Sequence, residues 1–377
     1  MAQSGGKTKR LTVLACMVLS AVSPSWAADS VTIGLLSKPP FADGAMGARL
    51  AIEDNNTTGK FIGQAFSLDE RALDEDGDTA KTAQDLSAKG RKLIVSLLEA
   101  GDLGKAAQAD ALFLNAAAPD EALRNAACRP NLLHLIPDRA MLADALTQYL
   151  VKKRWSNWLL ITGPDAGDVA FADALRRSAK RFGTRIIATH PWTFDRDSKP
   201  ESDVSTFTQG GDYDVAVVAD ESGGFGDLLS YRLWLPRPVA GTQGLVAKGW
   251  DGSAEEWGAI QLQNRFRKLA NRPMTSVDYA AWLAVRVVGE AAQRAKSTDP
   301  AAIRKAILAA DFSVAGFKGR QLSFRPWDGQ LRQPILLAAA NGLIATAPVD
   351  GFMHPVTEMD TLGTDRPETK CTTGPRP

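Results

Sequence analysis

The amino-acid sequence predicts an α/β protein with two successive lobes, each a parallel sheet covered by helices on both faces. Short apolar runs alternate with segments of helical periodicity along most of the chain. The alternation begins anew after a helix-patterned stretch at residues 139–153. A chain of 377 residues is also long enough for two domains. Together these observations predict two doubly wound lobes with a cleft between them, followed by a shared carboxyl-terminal portion.

The amino-terminal segment is typical of a secretory signal peptide. Basic residues precede an apolar run at residues 11–22 that is too short to span a bilayer. Ser25 and Ala27 place small residues at −3 and −1 of a cleavage point. We expect residues 1–27 to be removed on export. Cys16 raises the alternative of a lipoprotein, but cleavage there would halve the apolar run.

The first alternation contains strand-like runs and helix-like segments in turn. The runs are residues 31–36, 66–73, 93–98, 111–114 and 131–135, and the helices are a segment from Gly47 and residues 79–88 and 105–110. Acidic residues before the second helix invite a calcium interpretation, but the sixth and twelfth loop positions hold Thr79 and Asp85 instead of Gly and Glu. Asp78 as the cap of that helix explains the pattern more simply.

The second alternation and the portion after it follow the same pattern. The predicted strands are residues 158–162, 185–189, 213–219 and 238–240, and the predicted helices are 139–153, 169–182, which ends at Gly183, and 228–235. A polar loop covers residues 195–202.

The third portion holds helices at 257–269, 276–295 and 300–310, then strands at 321–324 and 334–340 around a turn at 327–329. Asp299 before Pro300 predicts a helix start.

Charge and motifs exclude several classes of function. The chain carries 44 basic and 43 acidic residues, so nothing favours nucleic acid or an anionic membrane. Its histidines, His134, His190 and His354, are far apart in sequence. We find no nucleophile elbow, Walker loop, zinc-binding helix or paired-cysteine metal ligands. The sequence therefore predicts no enzymatic activity, cofactor or metal, and His134 is predicted to be a core residue.

Two cysteines, Cys128 and Cys371, remain after export. An even number in an exported chain permits a disulfide, and two free thiols are the alternative. The Pro- and Thr-rich tail after Ile344 has no periodicity. We interpret it as a strap held by Cys371.

The order of motifs resembles the type I periplasmic solute-binding proteins of bacterial ABC transporters, closest to the branched-chain (Leu/Ile/Val) amino-acid branch. The resemblance covers residues 30–345 and is carried by residues 47–52, 73–78 before a helix, 118–123, 171–175 and 279–282. Residues 111–146, 149–193 and the tail 351–371 are also similar to a subgroup encoded beside quinoprotein (PQQ-dependent) alcohol dehydrogenase systems.

The resemblance implies a fold, a location and partners. The fold is two Rossmann-like lobes with parallel sheets, joined by three crossover strands, with a small solute in the cleft. The implied division is residues 28–146 plus 246–318 for lobe 1, 147–245 plus 319–345 for lobe 2, and 346–377 for the tail. The protein would act in the periplasm with an ABC permease of the inner membrane. The subgroup implies an alternative, an accessory protein of the quinoprotein dehydrogenase.

In the family that the chain resembles, members that bind amino acids hold the ligand with a set of side chains that we call the amino-acid clamp. Position by position, the resemblance implies that this clamp is missing here. Hydroxyl groups that hold a ligand carboxylate are replaced by Glu99, Ala116 and Ala117, and the aromatic contact falls on Phe171. The acid that receives the ligand ammonium falls near Thr242 and Gln243, which are uncharged. We therefore do not predict leucine binding.

The predicted pocket combines apolar side chains with acidic loop residues. Its predicted residues are Phe41, Leu98, Glu99, Ala116, Ala117, Asp168, Phe171, Asp220, Glu221, Thr242 and Gln243, with Asp165 at a loop edge. This lining favours a small alcohol, aldehyde or other neutral to cationic compound over an anion. The alternatives are that each acid is a helix cap or a solvated loop residue, and that Phe41 and Phe171 are core residues.

Overall fold

The structure is a computed structural model that describes residues 1–3, 5–6, 29–194, 203–340 and 342–375. Nearly all of the predicted signal peptide and the predicted loop at 195–202 lie outside the described residues. None of the helices within the described ranges is long and apolar enough to span a bilayer.

The chain alternates strands and helices as the sequence predicts. The strands are β1 (Asp29–Ser37), β2 (Gln64–Ala72), β3 (Leu93–Leu97), β4 (Leu112–Asn115), β5 (Leu132–His134), β6 (Asn157–Thr162), β7 (Arg185–Pro191), β8 (Val215–Ala219), β9 (Val239–Gly241), β10 (Leu245–Lys248), β11 (Val314–Ala315), β12 (Gln321–Phe324), β13 (Leu331–Arg332), β14 (Ile335–Ala339) and β15 (Gly342–Ala347). The helices are α1 (Ala45–Ile62), α2 (Thr79–Ala88), α3 (Ala100–Ala106), α4 (Arg139–Lys152), α5 (Ala166–Phe182), α6 (Val204–Phe207), α7 (Gly226–Arg232), α8 (Ala259–Ala270), α9 (Ser276–Ala295) and α10 (Pro300–Ile307).

The first lobe is built on a parallel sheet of order β2-β1-β3-β4-β5. Successive strand residues point to opposite faces, and both faces are covered, which explains the unbroken apolar runs. Leu35 and Val95 pack in the core that includes α1 and α9. Leu36 and Ile94 pack in a second core with residues of α2 and α3.

The second lobe is built on a sheet of order β15-β14-β10-β9-β8-β6-β7, parallel except for β14 and β15. Leu160 and Val217 share a core with residues of α4 and α5. Leu159 and Val218 lie in the core on the opposite face, with residues of α6 and α7. Each lobe is thus the three-layer α/β unit that the sequence predicts.

The chain passes between the lobes at residues 135–138, 249–258 and 333–334. The third crossover is linked to the first, because the Gln333 Nε2 donates to the Leu135 carbonyl at 2.6 Å. The Nε2 of Gln330, three residues before the third crossover, also donates to the Ile136 carbonyl at 3.1 Å. The Cβ of any larger residue at Gly249 would lie 3.1 Å from the Pro137 Cδ. The crossovers therefore form one packed hinge.

Local signals in the sequence identify several helix ends. The Asp78 carboxylate accepts from the Lys81 N–H at 3.0 Å and caps α2, as predicted in place of a calcium loop. The Asp299 carboxylate accepts from the Ala302 N–H at 2.9 Å, with Pro300 opening α10. Gly183 ends α5 with a left-handed φ of 74°. These predictions are confirmed.

Other elements differ from the predictions. Helix α3 starts at Ala100, not at residue 105, because that register buries Leu103 and Ala106 against α2. Strand β12 pairs with β13, whereas β14 joins the second sheet between β10 and β15. The sequence analysis missed four strands: β10, whose four residues lie between Gly244 and Gly249, β15, which begins at Gly342, and the two-residue strands β11 and β13.

The lobe boundaries are set by packing. The predicted division after residue 146 falls inside α4, whose Leu146 and Leu150 are both buried in the core of the second lobe. The hairpin of β12 and β13 places Leu322 and Leu331 in the core of the first lobe, whereas the resemblance implies the second lobe for residues 319–345. We propose the crossovers as the boundaries.

The carboxyl-terminal tail touches both lobes. Cys128 and Cys371 form a disulfide with a Cα–Cα distance of 5.6 Å. Earlier in the tail, Asp360 accepts hydrogen bonds from Arg325 and Arg332 of the first lobe at 2.9 and 2.8 Å. The neighbouring Thr361 Oγ1 accepts from Gln148 of α4 at 3.1 Å. The tail is therefore a strap across the hinge.

Candidate functional site

A cleft of about 650 Å³ lies between the lobes. It is formed where β1, β4, β8 and β9 end and where α4 and α9 begin, the edge at which open α/β sheets bind ligands. Seven residues of the predicted pocket line it: Phe41, Ala117, Phe171, Asp220, Glu221, Thr242 and Gln243. The structure thus brings together residues from five separate loops and helices of both lobes.

The walls of the cleft are mostly apolar. Phe41 and Phe171 approach from the first and second lobe respectively, and Ile136, Leu142 and Val246 complete the lining between them. Phe171 is only 4% exposed, because most of its ring packs in the second-lobe core. It therefore contributes both to the core and to the cleft surface.

Four predicted residues do not line the cleft. Leu98 and Ala116 are fully buried in two different cores of the first lobe. Glu99 is exposed at the start of α3, and its side chain makes no capping hydrogen bond. Asp168 is fully buried in α5. The direction of a side chain at a strand end or on a helix decides these cases, and a linear pattern does not reveal it.

Asp168 positions the loop that carries Glu221. Its Oδ1 accepts from the Glu221 N–H at 2.6 Å and from the Ser222 N–H at 3.3 Å. Its Oδ2 accepts from the Asp165 N–H at 3.2 Å, within a capping box at the start of α5. For both Asp165 and Asp168, the structure therefore favours the capping alternative.

Asp220 is likewise occupied by its own loop. Its two oxygens accept from the N–H groups of Gly224, Phe225 and Gly226 at 2.8, 2.9 and 2.6 Å. The Ser222 hydroxyl donates to the same carboxylate at 3.2 Å. Asp220 is 2% exposed. Its carboxylate shapes the cleft wall and keeps little capacity for a ligand.

Arg139 is the main charged residue that sequence reasoning missed. It is 8% exposed and forms a two-pronged ion pair with Glu221, with Nε–Oε1 at 2.9 Å and Nη2–Oε2 at 2.8 Å. The third nitrogen lies 3.3 Å from the Asp120 carboxylate of the first lobe. Burial alone would lower the pKa of Arg139, but the two carboxylates outweigh it and raise that pKa. Arg139 is the first residue of α4, where a positive charge is electrostatically unfavourable because of the helix dipole. This unfavourable position was the one sequence signal that Arg139 has a negatively charged partner.

The loop after β9 supplies the polar side chains at the centre of the cleft. Gly241 has a φ of 116°, and a Cβ there would lie 2.1 Å from the Val218 carbonyl oxygen, so only glycine fits. The Thr242 Oγ1 accepts from the Asp220 N–H at 3.0 Å and is 3.2 Å from the Val218 carbonyl oxygen to which it donates. The Gln243 carboxamide makes no hydrogen bond within the described residues.

Buried polar residues of the first lobe lie next to the hinge, behind the cleft. Arg124 is fully buried and donates to Gln330 Oε1 at 2.9 Å and to the Ile136 carbonyl at 3.0 Å. His134 lies against Asn115 at 3.0 Å. Burial, reinforced by the positive charge of Arg124, lowers the pKa of His134 well below 6.5. His134 is therefore a neutral core residue, as predicted.

A second cavity of about 1150 Å³ adjoins the cleft. The two cavities share Gln243, Val246 and Lys248, and the second one is closed on its far side by Arg267 and Pro273 of the first lobe. The gap between the lobes therefore extends beyond the cleft. No group of three potential metal ligands occurs among the described residues.

Known proteins share this architecture. The family model for periplasmic binding proteins matches residues 34–209. A branched-chain amino-acid ABC transporter periplasmic ligand-binding protein from Burkholderia xenovorans is 17% identical, with 91% of this chain and 99% of that chain covered and a TM-score of 0.75. A periplasmic binding protein from Burkholderia mallei is 18% identical, with coverages of 92% and 99% and a TM-score of 0.68.

A further solved structure holds an aromatic acid. It is an ABC transporter solute-binding protein from R. palustris in complex with benzoate, 12% identical, with coverages of 91% and 99% and a TM-score of 0.65. No curated protein sequence matches the chain. The likenesses show the fold: it is that of type I periplasmic binding proteins, with two lobes of parallel sheets, and the fold prediction is confirmed.

Proposed function

We propose that this protein is the periplasmic substrate-binding component of an ABC transporter and captures a small solute by closing its lobes. The observation that carries the proposal is the cleft, because it is lined from both lobes and lies beside a packed hinge. A ligand that binds the closed arrangement more tightly than the open one shifts the population toward closure. The closed form would then be presented to a permease in the inner membrane.

The solute is not a standard amino acid in this proposal. The positions that would hold the ligand carboxylate by resemblance are Glu99, Ala116 and Ala117, and of these only Ala117 lines the cleft. The positions near the ligand ammonium, Thr242 and Gln243, are uncharged. Neither end of an amino acid therefore finds the charged or hydroxyl partner that the resemblance would lead one to expect.

A link to alcohol oxidation is the finer part of the proposal. It is supported by the resemblance of residues 111–146, 149–193 and 351–371 to proteins encoded beside quinoprotein alcohol dehydrogenases. The alternative within this link is an accessory protein of the dehydrogenase without a transport role. Affinity purification from periplasm with membranes separates them: recovery of a permease supports transport, and recovery of the dehydrogenase supports the accessory role.

A thermal-shift screen of the purified chain lacking residues 1–27 tests solute binding itself. The screen contains alcohols, aldehydes, amides, aromatic acids and amino acids, together with PQQ. A solute that binds only the native state raises the melting temperature by mass action. Stabilisation by amino acids alone would contradict the interpretation that the amino-acid clamp is missing. The absence of any stabilising compound would contradict solute capture.

A further inference from the structure

The charges around the cleft are already committed to partners within the protein. Glu221 is held by two nitrogens of Arg139, and the Asp120 carboxylate beside the third nitrogen is 38% exposed and outside the cleft lining. Lys248 donates to Asp251 at 2.9 Å. Asp220 accepts from loop amides. Among the described residues that line the cleft, a charged ligand therefore meets no uncommitted charge of opposite sign.

The remaining polar groups are also mostly used. The Thr242 hydroxyl bonds to the backbone on both sides, and the Ser276 hydroxyl accepts from the Trp250 N–H at 3.1 Å. The carboxamide of Gln243 alone offers both a donor and an acceptor with no partner among the described residues. A Cβ at Gly226 would lie 2.2 Å from the Gln243 Cγ, so a larger residue at position 226 would clash with the Gln243 side chain in its present position.

From this arrangement we infer that the cleft selects an uncharged, largely apolar solute with one or two hydrogen-bonding groups, and that the Arg139–Glu221 pair excludes charged ones. The inference rests on the proposed solute-binding function. Apolar walls contributed by Phe41, Phe171 and Val246 enclose the body of the solute, and Gln243 bonds its hydroxyl, carbonyl or amide. A carboxylate or ammonium would lose its water without gaining a counter-charge, which opposes binding. A zwitterion such as an amino acid would lose hydration at both its carboxylate and its ammonium group without gaining a counter-charge at either.

The test uses ligands of equal size and different charge. Benzyl alcohol, benzoate and benzylamine form one set, and 3-methylbutan-1-ol, 3-methylbutanoate, 3-methylbutylamine and leucine form another. Binding of each to the mature chain is measured by titration calorimetry. We expect the alcohol of at least one set to bind tenfold or more tightly than its charged counterparts.

Two variants test the role of the ion pair directly. Glu221→Gln keeps the size of the side chain and leaves the Arg139 guanidinium without its two-pronged partner, so we expect it to gain affinity for benzoate by tenfold or more. Arg139→Met leaves Glu221 unpaired, and we expect the corresponding gain for benzylamine. Asp173→Asn is the control, because its charge is paired with Arg176 on the exposed face of α5 and the change in net charge equals that of Glu221→Gln.

The outcomes separate this inference from the proposed function. Tighter binding of a charged probe by the unmodified protein overturns the inference and leaves solute capture intact. Unchanged affinities for charged probes in a folded Glu221→Gln protein also overturn it, since the pair would then not set charge selectivity. Gain of benzoate binding by Glu221→Gln supports it even if the natural solute is outside both sets. The broad thermal-shift screen separately decides solute capture.

Discussion

At the scale of single residues, the buried carboxylates of the second lobe accept hydrogen bonds from backbone N–H groups and so keep little capacity for a ligand. Asp168 is fully buried and accepts three backbone hydrogen bonds from the loops that carry Asp165, Glu221 and Ser222. Asp220 does the same for its own loop. These carboxylates hold the cleft wall in place, and Arg139 neutralises the acid that reaches the cleft.

The first prediction concerns Asp168. Asp168→Asn turns one acceptor oxygen into a donor that faces an N–H group, and we expect it to lower the free energy of unfolding by about 2 kcal/mol. Urea unfolding followed by circular dichroism measures the change. Asp173→Asn, on the same helix but with a side chain 68% exposed, is the control and should change stability little. Equal effects of the two substitutions would contradict the assigned role.

The second prediction concerns pH and Glu121, which lines a small groove with Arg177 of the second lobe and Lys370 of the tail. Burial, together with the negative charge of Asp138, raises the pKa of Glu121 from 4.5 to about 7, although Arg177 opposes the shift. The folded state therefore binds a proton that the unfolded state releases between these values. Stability contributed by this group falls as the pH rises through that window.

Glu121→Gln removes this dependence. We expect the variant and the unmodified protein to be equally stable below pH 4.5, and the variant to be more stable by about 3 kcal/mol at pH 8. Urea unfolding across the pH range measures the difference, in which all other titrating groups cancel. Glu75→Gln, an exposed position, is the control. A difference that grows toward low pH would contradict the sign of the shift.

At the scale of elements, the tail is held by contacts far apart in sequence. Cys371 is bonded to Cys128, and the Lys370 N–H donates to the Asn125 carboxamide at 3.1 Å. The disulfide closes a loop with a sequence separation of 243 residues. A cross-link over so long a loop removes much conformational freedom from the unfolded chain.

The third prediction is that Cys128→Ser combined with Cys371→Ser lowers the free energy of unfolding by about 2–5 kcal/mol. Guanidinium unfolding with and without a reductant provides the measurement. The unmodified protein should lose stability on reduction, whereas the double variant should be insensitive to the reductant. Insensitivity of the unmodified protein would show that the bond does not contribute.

Elements were predictable where a local signal determines them, and less so where packing does. Helix caps such as Asp78 and Asp299, and strands buried on both faces, depend on residues that are adjacent in sequence. The alternation of strands and helices was therefore predicted correctly. Strand β10 and the start of α3 depend on which residues the rest of the molecule buries. At the candidate cleft, Phe41 was predicted from the loop after the first strand and Phe171 from the resemblance, and both line the cleft. Arg139, the partner of Glu221, lies 82 residues away in sequence, and no local pattern pairs the two.

At the scale of the whole molecule, one segment of the tail is in contact with both lobes at once. Asp360 is 4% exposed and receives hydrogen bonds from Arg325 and Arg332 of the first lobe. Three residues later, the Gly363 N–H donates to Asp144 of α4 in the second lobe at 2.8 Å. Wider opening of the cleft would therefore require breaking buried contacts of this segment.

The last prediction is that Asp360→Asn widens the range of lobe separations. Loss of the charge weakens the link to Arg325 and Arg332, while the side chain keeps its size, so the strap no longer resists opening. Spin labels on Lys89→Cys and Lys180→Cys, exposed positions on the first and second lobes, report the separation by pulsed electron resonance. We expect a broader distribution shifted to longer distances in the absence of solute. Glu358→Gln is the matched control, because Glu358 pairs with Arg320 where both side chains are about half exposed. Identical distributions for Asp360→Asn and the unmodified protein would mean that the hinge alone limits opening and that the strap follows it passively.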